Sequence, residues 1–211
     1  MNLIEKPTLE SLKLAQLTFD HAPAKWESLQ DQQRGLAGGG LRVYVPACVD
    51  YFQDPAGKIA NDNAPYLWLP VSGDFVARAY VRPAFDTTYD AGAIMVRQDA
   101  GHWAKLCFES TDFGTKAAVS VVTRLTSDDA NGVDLTVESL WLQVARLGDV
   151  FAMHYSLDGK SWRMVRLFNL KLSEKVRVGL VAQCPIGPGT SVDFLSFSVE
   201  PYALQDIRAG V

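Results

Sequence analysis

Apolar and polar residues alternate along most of this chain. Leu41, Val43 and Val45 are separated by Arg42 and Tyr44, and Phe75, Ala77, Ala79 and Val81 by Val76, Arg78 and Tyr80. Ala104, Leu106 and Phe108 alternate with Trp103, Lys105 and Glu109; Val176, Val178, Leu180 and Ala182 form a further run, followed by residues 192–199. A period of two puts successive side chains on opposite faces of an extended strand. Between the runs lie Gly- and Asp-rich turn signals: Ser72-Gly73-Asp74, Ala100-Gly101, Gly148-Asp149, Asp158-Gly159 and Gly187-Pro188-Gly189. About ten to twelve strands at this spacing predict a sandwich or barrel, not βαβ units. Helical spacing is weak. Leu9, Leu12, Leu14 and Leu17 suit a helix imperfectly and suit an extended arm equally. Gly38-Gly39-Gly40 reads as a flexible entry to the first clear strand, residues 54–65 as a polar loop, and Ser156 to Trp162 as a structural hairpin with the Trp packed beneath an Asp-tied turn. No repeat or composition break divides residues 1–211, which predicts one domain.

Residues 90–111 predict the most about a site. A two-residue turn at Ala100-Gly101 sets Gln98 opposite Trp103, Val96 opposite Lys105 and Gly92 opposite Glu109. One face then holds Ala93, Met95, Ala104, Leu106 and Phe108, a core face. The other gathers Asp90, Gly92, Ile94, Val96, Gln98, Trp103, Lys105, Cys107 and Glu109. Charges are costly in a core, and a central Trp is unusual on a plain solvent face. The mixture suits the concave side of a curved sheet, where ligands sit. The strand 118–124 continues that face with either Ser120, Val122 and Arg124, or Val121 and Thr123.

Asp50-Tyr51-Phe52, Gly73-Asp74-Phe75, Tyr89 to Arg97, Trp103 to Glu109, Ser120 to Thr123 and Ser156 to Trp162 together resemble, in that order, one bacterial and fungal family. It is the regulation-of-enolase-like family of unknown function, in the concanavalin A-like superfamily. The resemblance runs from about Trp26 to Val199 and implies an all-β jelly-roll sandwich of two antiparallel sheets. It implies no catalytic residues. The chain departs from the family pattern at Cys107, where many relatives have Gly, and at Phe52, where many have Trp; the bulkier Cys107 is expected to narrow a pocket.

Composition changes this picture little. The chain has 211 residues, 48% hydrophobic and 21% charged, with a net charge of −4. A core of ordinary globular size is expected, and clustered basic residues for nucleic acid or anionic lipid are not. The start lacks a leader pattern and no apolar run spans a bilayer, so a cytoplasmic location is expected. Cys48, Cys107 and Cys184 are odd in number and widely spaced, which predicts free buried thiols. His21, His102 and His154 match no metal spacing, no nucleophile elbow or phosphate loop is present, and no metal or cofactor is expected. The oxygen-rich stretch 50–63 is compatible with calcium but lacks the EF-hand pattern.

The ligand-binding set predicted from the residues is Asp90, Trp103, Lys105 and Glu109. It suits a carbohydrate or sugar-like metabolite bound without catalysis. Three other readings stand beside it: cross-strand pairs that only stabilise the sheet, a regulatory protein partner of a metabolic enzyme as the family name implies, and a glycoside hydrolase or lyase using Asp90 and Glu109 as its carboxylate pair.

Overall fold

The computed structural model describes residues 18–29 and 40–211, and every regular element among them is a β-strand. In chain order these are β1 (Thr18–Asp20), β2 (Lys25–Leu29), β3 (Gly40–Pro46), β4 (Tyr51–Gln53), β5 (Ala60–Asp62), β6 (Tyr66–Ser72), β7 (Phe75–Pro83) and β8 (Ala91–Asp99). They continue with β9 (His102–Ser110), β10 (Lys116–Arg124), β11 (Thr126–Leu135), β12 (Leu140–Leu147), β13 (Val150–Ser156), β14 (Arg163–Asn169), β15 (Lys175–Gln183) and β16 (Gly189–Glu200). The leucine-bearing stretch 8–17 and the glycines 38 and 39 lie outside the described residues.

Two seven-stranded antiparallel sheets face each other. The first runs β1-β6-β15-β8-β9-β10-β11, the second β14-β13-β12-β7-β16-β3-β2. The period-two runs supply both inner faces: Leu41, Val43 and Val45; Phe75, Ala77, Ala79 and Val81; Ala104, Leu106 and Phe108 are all buried. The outer edge of the first sheet is β11, which carries Asp128, Asp129 and Asp134. Residues 54–65, expected to form a polar loop, instead include the turn and second strand of the β4–β5 hairpin. Asp54 ties its turn by accepting from the amides of Ala56 and Lys58, both at 3.0 Å.

The hairpin β8–β9 departs from the simple register. Asp99 faces His102 as expected, but Arg97, not Gln98, faces Trp103, because Gln98 is an extra residue in a bulge. Every pairing beyond it shifts by one: Met95 faces Lys105, Ala93 faces Cys107 and Ala91 faces Glu109. A shift of one residue swaps the faces of a strand. Gly92, Ile94 and Val96 therefore join Leu106 and Phe108 in the core, while Ala91, Ala93, Met95 and Arg97 share the outer face with Lys105 and Glu109. Gly92 shows the reason for the choice: a Cβ there would stand 2.6 Å from Val192 Cγ1 of the second sheet. On β10 the outer face is Ala117, Val119, Val121 and Thr123, which settles the open alternative in favour of Val121 and Thr123.

The Ser156–Trp162 hairpin is structural, with one change. Asp158 accepts from the amides of Lys160 (2.8 Å) and Ser161 (2.7 Å), but the ring beneath the turn is Trp141, packed against Gly159. Of the cysteines, Cys107 and Cys184 are buried and free, whereas Cys48 is free and exposed. Among the described residues no helix is long and apolar enough to cross a membrane.

Candidate functional site

The outer face of the first sheet is partly roofed by the β4–β5 hairpin. The Gln53 amide donates to Ser127 Oγ at 2.9 Å, and Tyr51 packs edge-on against Trp103 and Tyr66, each with centroids 6.2 Å apart. Beside the hairpin opens a cleft of about 310 Å³. Its floor is Lys105 and Glu109 from β9, Gln183 from β15 and Val121 from β10; Asp129 of β11 lies at one side. Asp50, Phe52, Ile59 and Asn61 of the hairpin region form one wall, and Tyr89, Pro185 and Ile186 the other.

The floor is a chain of hydrogen bonds. Lys105 Nζ donates to Asp50 Oδ1 (2.9 Å) and to Gln183 Oε1 (2.7 Å). Gln183 Nε2 donates to Glu109 Oε2 (3.3 Å) and to the Tyr89 carbonyl (3.2 Å). Register explains the reach: Ala91 lies between Gln183 and Glu109 on adjacent strands, and its methyl group lets the two longer side chains meet above it. All four polar residues are under 9% exposed. Burial opposes the charge on Lys105, but Asp50 and the other nearby acids outweigh it and hold the ammonium above its ordinary range. Burial acts in the opposite sense on Glu109, pushing its carboxyl up to about 8 despite Lys105. At neutral pH Glu109 is therefore mostly a neutral acid, able to donate as well as accept. Burial also pushes the Cys107 thiol well up; it lies on the same face, between Lys105 and Glu109 on β9, beneath the residues that line the cleft.

Lys105 and Glu109 are thus brought together, and Asp90 and Trp103 are not with them. Asp90 is fully buried one residue outside β8 and accepts from the Thr87 amide and hydroxyl, both at 2.9 Å. It braces the turn that presents Tyr89, whose φ of 68° is strained for an aromatic residue. Trp103 is fully buried under Tyr51, with its Nε1 donating to the Ala100 carbonyl at 3.1 Å. The predicted Asp90–Glu109 pair fails because the Gln98 bulge reverses the parity of β8. Asp50, Gln183 and Asp129 replace it, from parts of the chain that the hairpin alone does not bring in.

Fold and cleft can now be set beside known proteins. The profile of a family described as "Protein of unknown function (DUF1349)" matches residues 21–202. The chain belongs to this family. The chain is 30% identical over 162 residues to Regulation of enolase protein 1 of Saccharomyces cerevisiae, covering 76% of this chain and 81% of that protein. A crystal structure of a functionally unknown Saccharomyces cerevisiae protein superposes with a TM-score of 0.77 at 28% identity, covering 89% of this chain and 97% of that one. The exoplasmic/lumenal domain of VIP36, in a Ca2+/Man3GlcNAc-bound form, shares the sandwich fold with a TM-score of 0.55 at 9% identity, covering 94% and 90%. These likenesses agree with the two-sheet antiparallel sandwich described above.

Proposed function

We propose that this DUF1349 protein binds a small carbohydrate or sugar-like metabolite, without turning it over, in the cleft beside the β4–β5 hairpin. The preassembled floor carries this reading: Asp50, Lys105, Gln183 and Glu109 hold one another in fixed rotamers at the base of an apolar-walled opening. A sugar has C–H faces that pack on rings and aliphatic groups, and hydroxyls that need donors and acceptors together. Phe52, Tyr89, Ile59 and Ile186 supply the first; Lys105, Glu109 and Gln183 supply the second. The volume falls at the small end of ligand pockets. The glycan-bound VIP36 domain supports the reading only as fold-level analogy. Lys105 and Glu109 are the retained members of the expected set, and Asp90 and Trp103 act behind them by holding Tyr89 and Tyr51. The carboxylate pair named for the hydrolase reading is not assembled, since Asp90 is buried on Thr87 and does not line the cleft. Unpaired cysteines support a reducing, cytoplasmic setting.

The name of the yeast relative favours a second reading, a protein partner engaged at the same rim, where Ile59 and Ile186 are 52% and 63% exposed. Calorimetry against mono- and oligosaccharides tests the first. A binding sugar should lose at least about tenfold in affinity on Phe52→Ala and on Glu109→Gln. It should be indifferent to Trp141→Ala, which alters the aromatic pair with Tyr80 on the far sheet. A sugar that ignores both cleft variants, or a panel without a binder, overturns the reading. Capture of purified enolase that is lost on Ile59→Asp would favour the second.

A further inference from the structure

The cleft holds more acid than its one cation balances. Lys105 is the single basic residue among those lining it, and its Nζ is already committed to Asp50 and Gln183. Glu109 is 7% exposed and accepts one hydrogen bond among the described residues, the 3.3 Å contact at Oε2. Its Oε1 has no such bond, on a side chain that lines the opening. Asp129 stands across Val121 from Lys105 in the sheet register, and the neighbouring cation, Arg166, pairs with Asp128 instead at 2.9 Å. Asp112 adds negative potential at Glu109 and Tyr89. Glu109 Oε1 is not among the buried polar atoms left without a partner; it meets the opening, where a donor on a ligand can take the place of water.

We infer that the cleft selects sugars bearing a protonated amine over their neutral and acidic counterparts, with the ammonium at Glu109 in the field of Asp129 and the ring between Phe52 and Tyr89. This deepens the sugar-binding reading and rests on it. An ammonium brings donors to the open oxygen of Glu109 and favours its ionised form, whereas a sugar carboxylate or phosphate gains nothing from a neutral Glu109 and meets the negative potential of Asp129 and Asp112. Partial exclusion of water strengthens both effects. The bound ammonium keeps its proton. Glu109, neutral in the free cleft, ionises beside the new cation and releases its proton to solvent.

Calorimetry of the full chain at about pH 5.5, where the sugar amines are protonated and Glu109 in the free cleft is neutral, distinguishes the outcomes, with a chitosan oligomer, the cello-oligomer of equal length, glucuronate and spermidine as probes. The amino sugar should bind about tenfold or more tighter than the neutral one, with glucuronate weakest. Its binding heat should vary with buffer ionisation enthalpy as a proton is released. The preference should shrink to about twofold or less in Glu109→Gln and in Asp129→Asn, the latter on an exposed edge strand where folding is safe. Equal affinity for the two oligomers overturns the charge selection and leaves sugar binding standing. Binding of spermidine with neither oligomer overturns both.

Discussion

Glu109 is where burial and chemistry meet at the scale of one residue. Its carboxyl is raised from 4.5 to about 8, chiefly by burial. Between those values the unfolded chain has lost this proton and the folded protein keeps it. Stability from this group is therefore complete below about pH 4.5 and falls as pH rises to about 8, by at most about 1.4 kcal/mol per unit. Urea unfolding at half-unit steps from pH 5 to 8 should show this decline in the native protein and a flatter profile in Glu109→Gln; equal slopes would reject the assignment. Lys105 and Glu109 were legible in the sequence because charges at alternate positions of an otherwise apolar strand stand out. Asp50 and Gln183 were not: 55 and 78 residues separate them from Lys105, and only the folded sheet joins them. Asp90 looked like a partner for Glu109 only while β8 was read without its extra residue.

At the scale of the strand, Gln98 decides which side chains the hairpin shows to the cleft. The turn at Ala100-Gly101 was legible, since its residues suit a tight reversal. The bulge was not, because it leaves no composition signal; the contact of Gly92 with the opposite sheet is what selects the shifted register. Gly92→Ala should accordingly cost about 1–3 kcal/mol, as overpacking of a filled core does. Adding Val192→Ala removes the atom 2.6 Å from the new methyl group, so the double variant should be more stable than the sum of the single losses predicts. Chemical denaturation of the four proteins closes that cycle; strict additivity would mean that the methyl group is accommodated elsewhere.

For the molecule as a whole, the two-sheet architecture could be read from period two and turn spacing, while the roofing of each sheet could not. The β4–β5 hairpin shapes one outer face, and residues 201–211 cover part of the other. Leu204 packs on Val76 and Ala145, the Gly210 carbonyl accepts from Gln143 Nε2 at 3.1 Å, and that of Arg208 lies 3.2 Å from His154 Nε2. Deleting 201–211 should lower stability by at least the ~2–5 kcal/mol of a truncated core leucine. Affinity at the cleft, on the far side of the sandwich, should not change. Denaturation and sugar calorimetry on the shortened chain check both halves; a lost affinity would show the two faces to be coupled. The first sheet ends in an open ladder at β11, and open ladders invite a second copy to dock and extend them. Here a newcomer would press its own acidic edge against Asp129 and Asp134. The acidity that biases the cleft toward cations thus also guards the protein against growing into a filament.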